Sequence, residues 1–225
     1  MPETILEVKN VYKSYENKSE EAPVLNGISF EIKKGEFVAI YGESGAGKST
    51  LLHLLAGFDK PSDGEILMMD KNITQMNENR LARLRSKHVG FVFQQYHLIP
   101  ELSAIENVMF PMLLNGVRRK AAYKAAKEML EYVGITEGID KLPEEFSGGQ
   151  NQRIAIARAL VTNPEIVFAD EPTGNLDSTN KHKIMDLLTQ INKDFKTTIL
   201  VVTHSETEKK YASKVILVKD GKVII

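Results

Sequence analysis

Three short apolar runs in the chain are rich in β-branched and aromatic residues and show no polar alternation. This pattern is typical of strands buried on both faces of a parallel sheet. The runs are Phe37–Tyr41, Ile166–Ala169 and Thr198–Val202. Polar residues follow each run directly. Because ligands of open α/β sheets bind beyond the carboxyl ends of the strands, we expect these polar residues to form one site.

Other segments alternate between apolar and polar residues, which predicts half-buried antiparallel strands. These strands are expected at Ile5–Val8, Ile28–Ile32 and Gly64–Met68. The charged insert Glu16–Glu21 between them is expected to be a mobile loop. Between about 95 and 150 the spacing becomes helical, and Lys120–Val133 is predicted to be an amphipathic helix that ends at Gly134. The patterns together predict an α/β fold.

Composition narrows the class of protein. The 225 residues contain 29 basic and 30 acidic side chains, so nothing draws the whole chain toward nucleic acid, and no nucleic-acid partner is expected. The local basic group Arg80, Arg83, Arg85 and Lys87 is expected to be a solvated helix face. Cysteine is absent, which excludes a disulfide framework and a thiolate zinc site. No apolar run approaches the roughly 20 residues of a membrane span, and the first residues lack signal-peptide features, so a cytoplasmic protein is expected.

The strand predicted at Phe37–Tyr41 leads into the most specific motif of the chain, which fits G-x-x-x-x-G-K-[ST] without mismatch. Glycines allow successive backbone N–H groups to point at phosphate oxygens, and the start of the helix predicted at Leu51–Gly57 adds partial positive charge. Lys48 supplies a charge for the outer phosphates and Ser49 a hydroxyl for magnesium. The motif therefore predicts a site for a nucleoside triphosphate, formed by Gly42, Glu43, Ser44, Gly45, Ala46, Gly47, Lys48, Ser49 and Thr50.

Two carboxylates, Asp170 and Glu171, follow the apolar run Ile166–Ala169. An apolar strand that ends in an acid is how phosphate-loop proteins place a carboxylate near magnesium, and we assign Asp170 that role. Glu171 then lies beside the site and is a candidate to polarise the attacking water. The alternative interpretation is that both are surface acids at the end of a strand.

The sequence Ser-Gly-Gly-Gln at 147–150 has two interpretations. In one, Ser147 and Gln150 form a capping box that begins a helix over Gly148–Thr162, which ends before Pro164. Capping alone does not explain two adjacent glycines, each of which weakens a first turn by roughly 1 kcal/mol relative to alanine. In the other, bare amides at the helix N-terminus form a second phosphate-binding surface.

Four motifs occur along the chain in a specific order: the phosphate loop, Ser147–Gln150, the strand with Asp170–Glu171, and Thr203–His204. In this order they resemble the motifs of the ATP-binding subunit of an ABC (ATP-binding cassette) transporter. The resemblance covers essentially the whole chain. It implies a P-loop NTPase core with an antiparallel β subdomain and an α-helical subdomain. Within a single ABC ATPase domain over 1–225, the core and β subdomain are expected at about 1–94 and 163–225, and the helical subdomain at 95–162. ATP and Mg²⁺ are the implied ligands.

The resemblance also implies a dimer. In that family, the signature serine and glycines face the triphosphate held by the second subunit of a head-to-tail pair. A second copy of this chain is therefore the expected partner, and Asp177 resembles the residue of the loop that crosses the dimer interface. The residues expected to act on the partner's nucleotide are Ser147, Gly148, Gly149 and Gln150.

Further site residues follow from the same resemblance. Tyr15 resembles the aromatic residue that stacks on adenine, although a strand-end tyrosine can also simply pack on the sheet. Gln94 resembles the glutamine that contacts magnesium and water and senses the membrane partner, with Gln95 as the alternative. His204 resembles the histidine that contacts the γ-phosphate, although a lone histidine at a strand end is more often structural. Gln94, Glu171 and His204 are thus the expected catalytic residues, and Ser49, Gln94 and Asp170 the expected magnesium ligands.

Segments 91–100 and 169–177 resemble the macrolide-exporter, lipoprotein-releasing and FtsE-like branch of the family. Departures at Ala46, Phe146 and Asn151 are small, and Glu171 is intact, so a site competent for hydrolysis is expected. The branch implies an ATPase that drives a separate membrane permease in efflux or mechanotransmission, held through that permease at the inner face of the membrane. The alternative is an FtsE-like ATPase in signalling or cell division.

Apolar residues in and after the segment around Gln94 are candidates to line a groove for a helix of the permease. The alternative is that they pack inside the helical subdomain. They are Tyr96, Leu98, Ile99, Leu102 and Ile105.

Overall fold

The computed structural model describes residues 3–15 and 23–224, so the loop predicted at Glu16–Glu21 lies outside the described residues. Strands in the described part are numbered along the chain: β1 (Thr4–Lys13), β2 (Leu25–Lys33), β3 (Phe37–Tyr41), β4 (Asp63–Met68), β5 (Lys71–Asn72), β6 (Val89–Val92), β7 (Ile166–Asp170), β8 (Thr198–Thr203), β9 (Lys214–Lys219) and β10 (Lys222–Ile224). Every predicted strand is confirmed. β7 and β8 each extend one residue beyond the predicted run, into Asp170 and Thr203.

The helices are α1 (Lys48–Leu55), α2 (Glu78–His88), α3 (Ala104–Leu114), α4 (Arg119–Tyr132), α5 (Gly148–Leu160) and α6 (Ser178–Phe195). The helix predicted over Lys120–Val133 is confirmed as α4 to within one residue at each end. The helix predicted over Gly148–Thr162 is α5, which ends two residues earlier. None of the helices in the described ranges is long and apolar enough to span a bilayer.

The strands form two sheets in the described part of the chain. The first is antiparallel throughout, with the order β2-β1-β4-β5, as the alternating segments predicted. The second has the order β10-β9-β3-β8-β7-β6 and is parallel except for β10. In its register Tyr41 pairs with Thr203, and Asp170 pairs with Val202. The carboxyl ends of β3, β8 and β7 therefore lie side by side, which confirms the expected convergence of their polar residues.

The parallel sheet is buried on both faces. Phe168 and Leu200 pack into a cluster with α1 and the antiparallel sheet, where Leu6, Leu51 and Ile66 are fully buried. Val167 and Val201, one residue away on the same strands, belong to a second cluster with residues of helices α3 to α6. Alternate residues of one strand thus enter different cores, which is why β7 and β8 carry no polar alternation. Packing on both faces of the sheet holds in place the strand ends that carry the candidate site.

Candidate nucleotide-binding site

The phosphate loop joins β3 to α1, and its backbone suits an anion. Gly45 and Gly47 have φ of +82° and +95°, the left-handed region that glycine adopts freely. A Cβ on Gly47 would lie 2.9 Å from the carbonyl oxygen of Val24, so no other residue fits there. Gly47 is the N-cap of α1 and offers no side chain to the first turn, which also lacks acidic residues. The amides that begin α1 therefore have no capping side chain of their own.

Lys48 and Ser49, the first two residues of α1, each form a side-chain hydrogen bond. Lys48 is only 5% exposed, and its Nζ donates to the carbonyl oxygen of Glu43 at 2.7 Å, which folds the lysine over the loop. Ser49 Oγ donates to Asp170 Oδ1 at 3.0 Å. The hydroxyl and the carboxylate predicted to bind magnesium are thus neighbours, although 121 positions separate them in the sequence.

The environment of Asp170 favours a positive charge beside it. Burial raises the pKa of this carboxyl group, and the nearby Glu171 raises it further, against the opposing effects of the Ser49 hydroxyl, His53 and Lys48. His53 Nε2 lies 4.0 Å from Asp170 Oδ2. The sequence interpretation missed His53, although it follows Ser49 by four residues on a helix, the spacing at which two side chains share a face.

Glu171 and His204 meet at the ends of β7 and β8. Nδ1 of His204 lies 3.2 Å from Oε1 of Glu171, so the histidine lies beside the candidate catalytic carboxylate. Glu171 has a φ of +43°, a strained conformation for a residue with a side chain. Its backbone is held by a hydrogen bond from its N–H to the carbonyl oxygen of Val202 at 3.1 Å. Backbone strain at a candidate catalytic residue is consistent with a side chain that is held in place.

A cavity of 510 Å³ lies against the phosphate loop. It is lined by Tyr41, Gly42, Glu43, Ser44, Gly45, Ala46, His204 and the segment 217–220. Ser147–Gln150 are not among the lining residues. Lys48, Ser49, Asp170 and Glu171 do not line it either, so this cavity covers one side of the loop and does not separate Ser147–Gln150 from the other candidate site residues.

Ser147–Gln150 form the predicted capping box. Gln150 N–H donates to Ser147 Oγ at 3.4 Å, and Ser147 N–H donates to Gln150 Oε1 at 2.9 Å. The structure adds a steric reason for one of the adjacent glycines, because a Cβ on Gly148 would lie 2.7 Å from Oη of Tyr96. The capping interpretation is confirmed, and it leaves the proposed phosphate-binding role open.

Gln94 lies beside the loop that follows β7. Asn175 Nδ2 donates to the backbone oxygen of Gln94 at 3.2 Å, and a Cβ on Gly174 would lie 2.5 Å from Gln94 Nε2. This packing places the Gln94 side chain close to the turn that begins at Glu171, which supports Gln94 over Gln95.

Asp177 and Tyr15 have contacts that the sequence did not reveal. Asp177 is the N-cap of α6, and its Oδ1 accepts from the N–H of Asn180 at 3.0 Å. Tyr15 is 49% exposed, with Lys13 Nζ 4.8 Å from the centre of its ring. Both residues remain predictions for the site.

The structure corrects two expectations about surfaces. Ile105 is only 3% exposed and belongs to the helical core cluster, so its prediction as a groove residue is wrong. Arg85 donates to the carbonyl oxygen of Gly57 and pairs with Glu78, so it is not merely solvated. Arg80, Arg83 and Lys87 are exposed, as expected for a solvated helix face.

An aromatic group between α1 and the helical region was also missed. Phe58, which is 47% exposed, lies 5.0 Å from Phe91 between ring centres, and Phe93 lies 4.3 Å from Phe91 and 4.5 Å from His97. Phe58 follows α1, whereas Phe91, Phe93 and His97 share one later segment, so no local pattern in the sequence could bring Phe58 to the other three rings.

Comparison with known proteins places the chain in a family. A family model described as "ABC transporter" matches residues 25–174. The lipoprotein-releasing system ATP-binding protein LolD of Francisella tularensis (strain FSC 198) is 45% identical over 224 residues, which covers 99% of this chain and 97% of that protein. The bacitracin export ATP-binding protein BceA of Halalkalibacterium halodurans is 44% identical, with 97% of this chain and 87% of that protein covered.

Solved structures agree with these matches. The ATP-binding cassette MJ0796, in a dimeric post-hydrolysis state bound to ADP and Pi, is similar with a TM-score of 0.90 and 39% identity, over 98% of this chain and 97% of that one. A second dimeric structure of MJ0796 has the same TM-score and 40% identity. The chain belongs to the ABC transporter family, as one of its ATP-binding subunits.

Proposed function

We propose that this subunit hydrolyses ATP with Mg²⁺ as a homodimer in which each nucleotide is held between two copies, and that hydrolysis drives a membrane permease. One observation carries the proposal. The ends of β3, β7 and β8 bring Ser49 within 3.0 Å of Asp170, and His204 within 3.2 Å of Glu171. A metal-binding pair and a water-activating pair thus lie at the same edge of the sheet as the phosphate loop.

Binding of ATP rests on the phosphate loop. The uncapped amides at the start of α1 bind phosphate oxygens, and Lys48 exchanges its bond to the Glu43 carbonyl for the outer phosphates. The remaining loop residues, Gly42 to Thr50, enclose the phosphates, and Tyr15 stacks on the adenine.

Magnesium fits the donors that the site offers. Ser49, Asp170 and Gln94 supply a hydroxyl, a carboxylate and an amide oxygen, which are the hard ligands that Mg²⁺ prefers. Among residues 3–15 and 23–224, no three His, Asp or Glu side chains are grouped to hold a metal on their own, so phosphate oxygens would complete the set. When bound, the ion would neutralise negative charge on the phosphates.

Hydrolysis rests on Glu171 and His204. Glu171 orients the attacking water and takes its proton. An ionised carboxylate only accepts hydrogen bonds, so the contact with Glu171 places the proton of His204 on Nδ1. Nε2, the other ring nitrogen of His204, can donate to the γ-phosphate only while it also carries a proton, because a bare ring nitrogen would meet the phosphate oxygens with a lone pair.

The second copy completes the site. Ser147, Gly148, Gly149 and Gln150 act on the nucleotide of the second copy, and the dimeric state of the MJ0796 structures supports a role across an interface. Asp177 lies in the loop that crosses the interface. We retain the division into a core with a β subdomain, 1–94 and 163–225, and a helical subdomain, 95–162.

The names of the relatives, lipoprotein release and bacitracin export, support a transport role over one in cell division. The permease docks through an apolar helix against the segment that carries Leu98, Ile99 and Leu102, each of which is partly exposed. The subunit then works at the inner face of the membrane. Which molecule is moved depends on the permease.

The substitution Glu171→Gln tests the proposal. It keeps the shape of the side chain but removes the base, so we expect kcat to fall by about 10²–10⁴-fold with ATP affinity unchanged. ATP should then hold the variant as a dimer in size-exclusion chromatography. Glu165→Gln, just before the opposite end of β7, is the matched control and should leave kcat unaltered. Hydrolysis by Glu171→Gln at the wild-type rate would refute the assignment.

A further inference from the structure

A buried carboxyl group links the two segments that carry Glu171 and His204. Glu208 is 6% exposed and begins a short 3₁₀ helix, Glu208–Tyr211. Its Oε1 accepts from Thr173 Oγ1 at 2.5 Å, and its Oε2 accepts from Thr203 Oγ1 at 2.6 Å. Each carboxyl oxygen therefore holds a different segment of the site.

Both threonines are adjacent to the catalytic candidates. Thr203 directly precedes His204, and Thr173 lies two residues after Glu171. Both are 2% exposed, so their hydroxyls have no access to bulk water as alternative partners. Short hydrogen bonds from hydroxyls to a carboxylate are among the stronger ones in proteins. The two hydrogen bonds to Glu208, which together form a bridge between Thr173 and Thr203, thus lie next to the candidate site and are shielded from competition by water.

The backbone around the bridge needs support. Glu171 has a left-handed φ of +43°, and such strain persists only where surrounding contacts hold it. The turn after Glu171 is closed by Gly174 N–H, which donates to the carbonyl oxygen of Glu171 at 2.9 Å, and Thr173 lies inside this turn. On the other strand, Thr203 Oγ1 also accepts from the N–H of Ser205 at 2.9 Å, which shapes the chain after His204.

We propose that Glu208 is a positioning residue for hydrolysis, which sets the distance between Glu171 and His204 by holding Thr173 and Thr203 to one carboxylate. Glu208 does not touch the reacting atoms. The inference rests on the proposed ATPase function. Small displacements of groups that act on a substrate can lower a rate strongly without changing how the substrate binds.

A purely structural role predicts a different result. A buried hydrogen bond that only stabilises the fold would lower the Tm but leave the kcat of the folded protein unchanged. The two roles are therefore separated by measuring kcat, the KM for ATP and the Tm on the same variants of the full chain.

The main variants are Glu208→Ala, Thr173→Val and Thr173→Ser. Glu208→Ala and Thr173→Val break the bridge, and we expect each to lower kcat by about tenfold, with a change in KM of less than twofold. Thr173→Ser keeps the hydroxyl and should retain most of the rate. If Glu208→Ala fails to fold, Thr173→Val tests the same bridge with a smaller change.

The matched control is Thr197→Val. Thr197 is a buried threonine directly before the opposite end of β8, and its hydroxyl donates to the carbonyl oxygen of Pro164 at 3.2 Å. Its substitution should lower the Tm as Thr173→Val does, with kcat unchanged. A dimer trapped by ATP in Glu171→Gln should still form when Thr173→Val is added, because the bridge does not hold nucleotide.

Two results would overturn the inference. One is a kcat for Thr173→Val and Glu208→Ala equal to that of Thr197→Val. The other is a loss carried by KM alone. Failure of the proposed function itself would be seen separately, because the wild-type protein would then not hydrolyse ATP at all.

Discussion

The N-termini of helices α1 and α5 both combine glycine with serine, but they are built differently. At α1, Gly47 caps the helix without a side chain, and the first turn has no acidic residue. At α5, Ser147 and Gln150 close the first turn with reciprocal hydrogen bonds. The N-terminus of α1 thus leaves its backbone N–H groups available to a ligand. The N-terminus of α5 instead satisfies part of its hydrogen bonding within the chain.

This difference indicates how each end works. At a helix start without a capping side chain, the backbone N–H groups gain hydrogen-bond acceptors when phosphate binds. This suits a site that binds the nucleotide within a single chain. A capped start is stable before any ligand arrives, which suits a surface that meets a nucleotide only when a second copy approaches. Lys48→Ala and Ser147→Ala test this contrast, and Asp170→Asn tests the carboxylate that lies beside the start of α1.

Lys48→Ala should have the largest effect on the α1 end. Lys48 is the buried cation of the phosphate loop, and a hydrogen bond to a charged group contributes about 1.5–3 kcal/mol. We expect the affinity of the single chain for ATP to fall by up to about 100-fold, measured by isothermal titration calorimetry. Lys124→Ala, on the exposed face of α4, should bind ATP as the wild type does. Affinity within threefold of the wild type in Lys48→Ala would contradict the role of α1.

Ser147→Ala tests the α5 end, with Ser103→Ala as a matched control. Ser103 forms the same kind of capping box with Glu106 at the start of α3. Each substitution removes an N-cap and should destabilise the fold by about 1 kcal/mol. We expect only Ser147→Ala to reduce ATP hydrolysis, by about tenfold, because of the two serines only Ser147 is proposed to face the second copy's nucleotide.

The affinity of the single chain for ATP distinguishes the alternatives for Ser147. It should stay within twofold of the wild type in both variants. A collapse of that affinity in Ser147→Ala would place the Ser-Gly-Gly-Gln segment in its own chain's site. Equal ATPase rates in the two variants would leave Ser147 with a capping role alone.

Asp170→Asn should change the stability of the fold only slightly, and should raise the Tm. Because burial raises the pKa of Asp170, the folded protein favours the protonated acid, and that stabilisation is lost as pH rises through the raised pKa. At neutral pH the amide therefore removes an unfavourable charge. We expect the Tm of the nucleotide-free variant to rise by roughly 2 °C and ATP hydrolysis to be lost.

The pH dependence provides the check. The difference in Tm between Asp170→Asn and the wild type should disappear below pH of about 4, where an unperturbed aspartate is protonated. Asp140→Asn, at an exposed position, should leave Tm unchanged. A fall in Tm of Asp170→Asn at neutral pH would show that the carboxylate stabilises the fold.

The sequence predicted the parts of the fold that local patterns determine. β3, β7 and β8 are buried on both faces, so their runs are apolar without interruption, and their ends were predicted within one residue. The phosphate loop and the capping box of α5 depend on residues close together in sequence, and these too were predicted. In the same way, the meeting of Ser49 with Asp170 followed from the rule for strand ends in parallel sheets.

Contacts between distant segments were beyond this reasoning. The bond between Thr173 and Glu208 spans 35 positions, and the aromatic group of Phe58 and Phe93 joins separate elements. Ile105 was assigned to a surface groove because its apolar side chain alone does not show which face of α3 is buried. Such errors arise where tertiary packing, and not the local pattern, decides the environment of a side chain.

The order of the parallel sheet has a consequence for how the protein is made. β8 lies between β3 and β7, so the strand before the phosphate loop and the strand that carries Asp170 are separated until Thr198–Thr203 inserts between them. On the ribosome, the growing chain completes its phosphate loop early but must wait for this late strand to bring Asp170 into register. Pairing of such distant strands is slow, so we expect the nascent protein to gain ATPase activity only after β8 has paired.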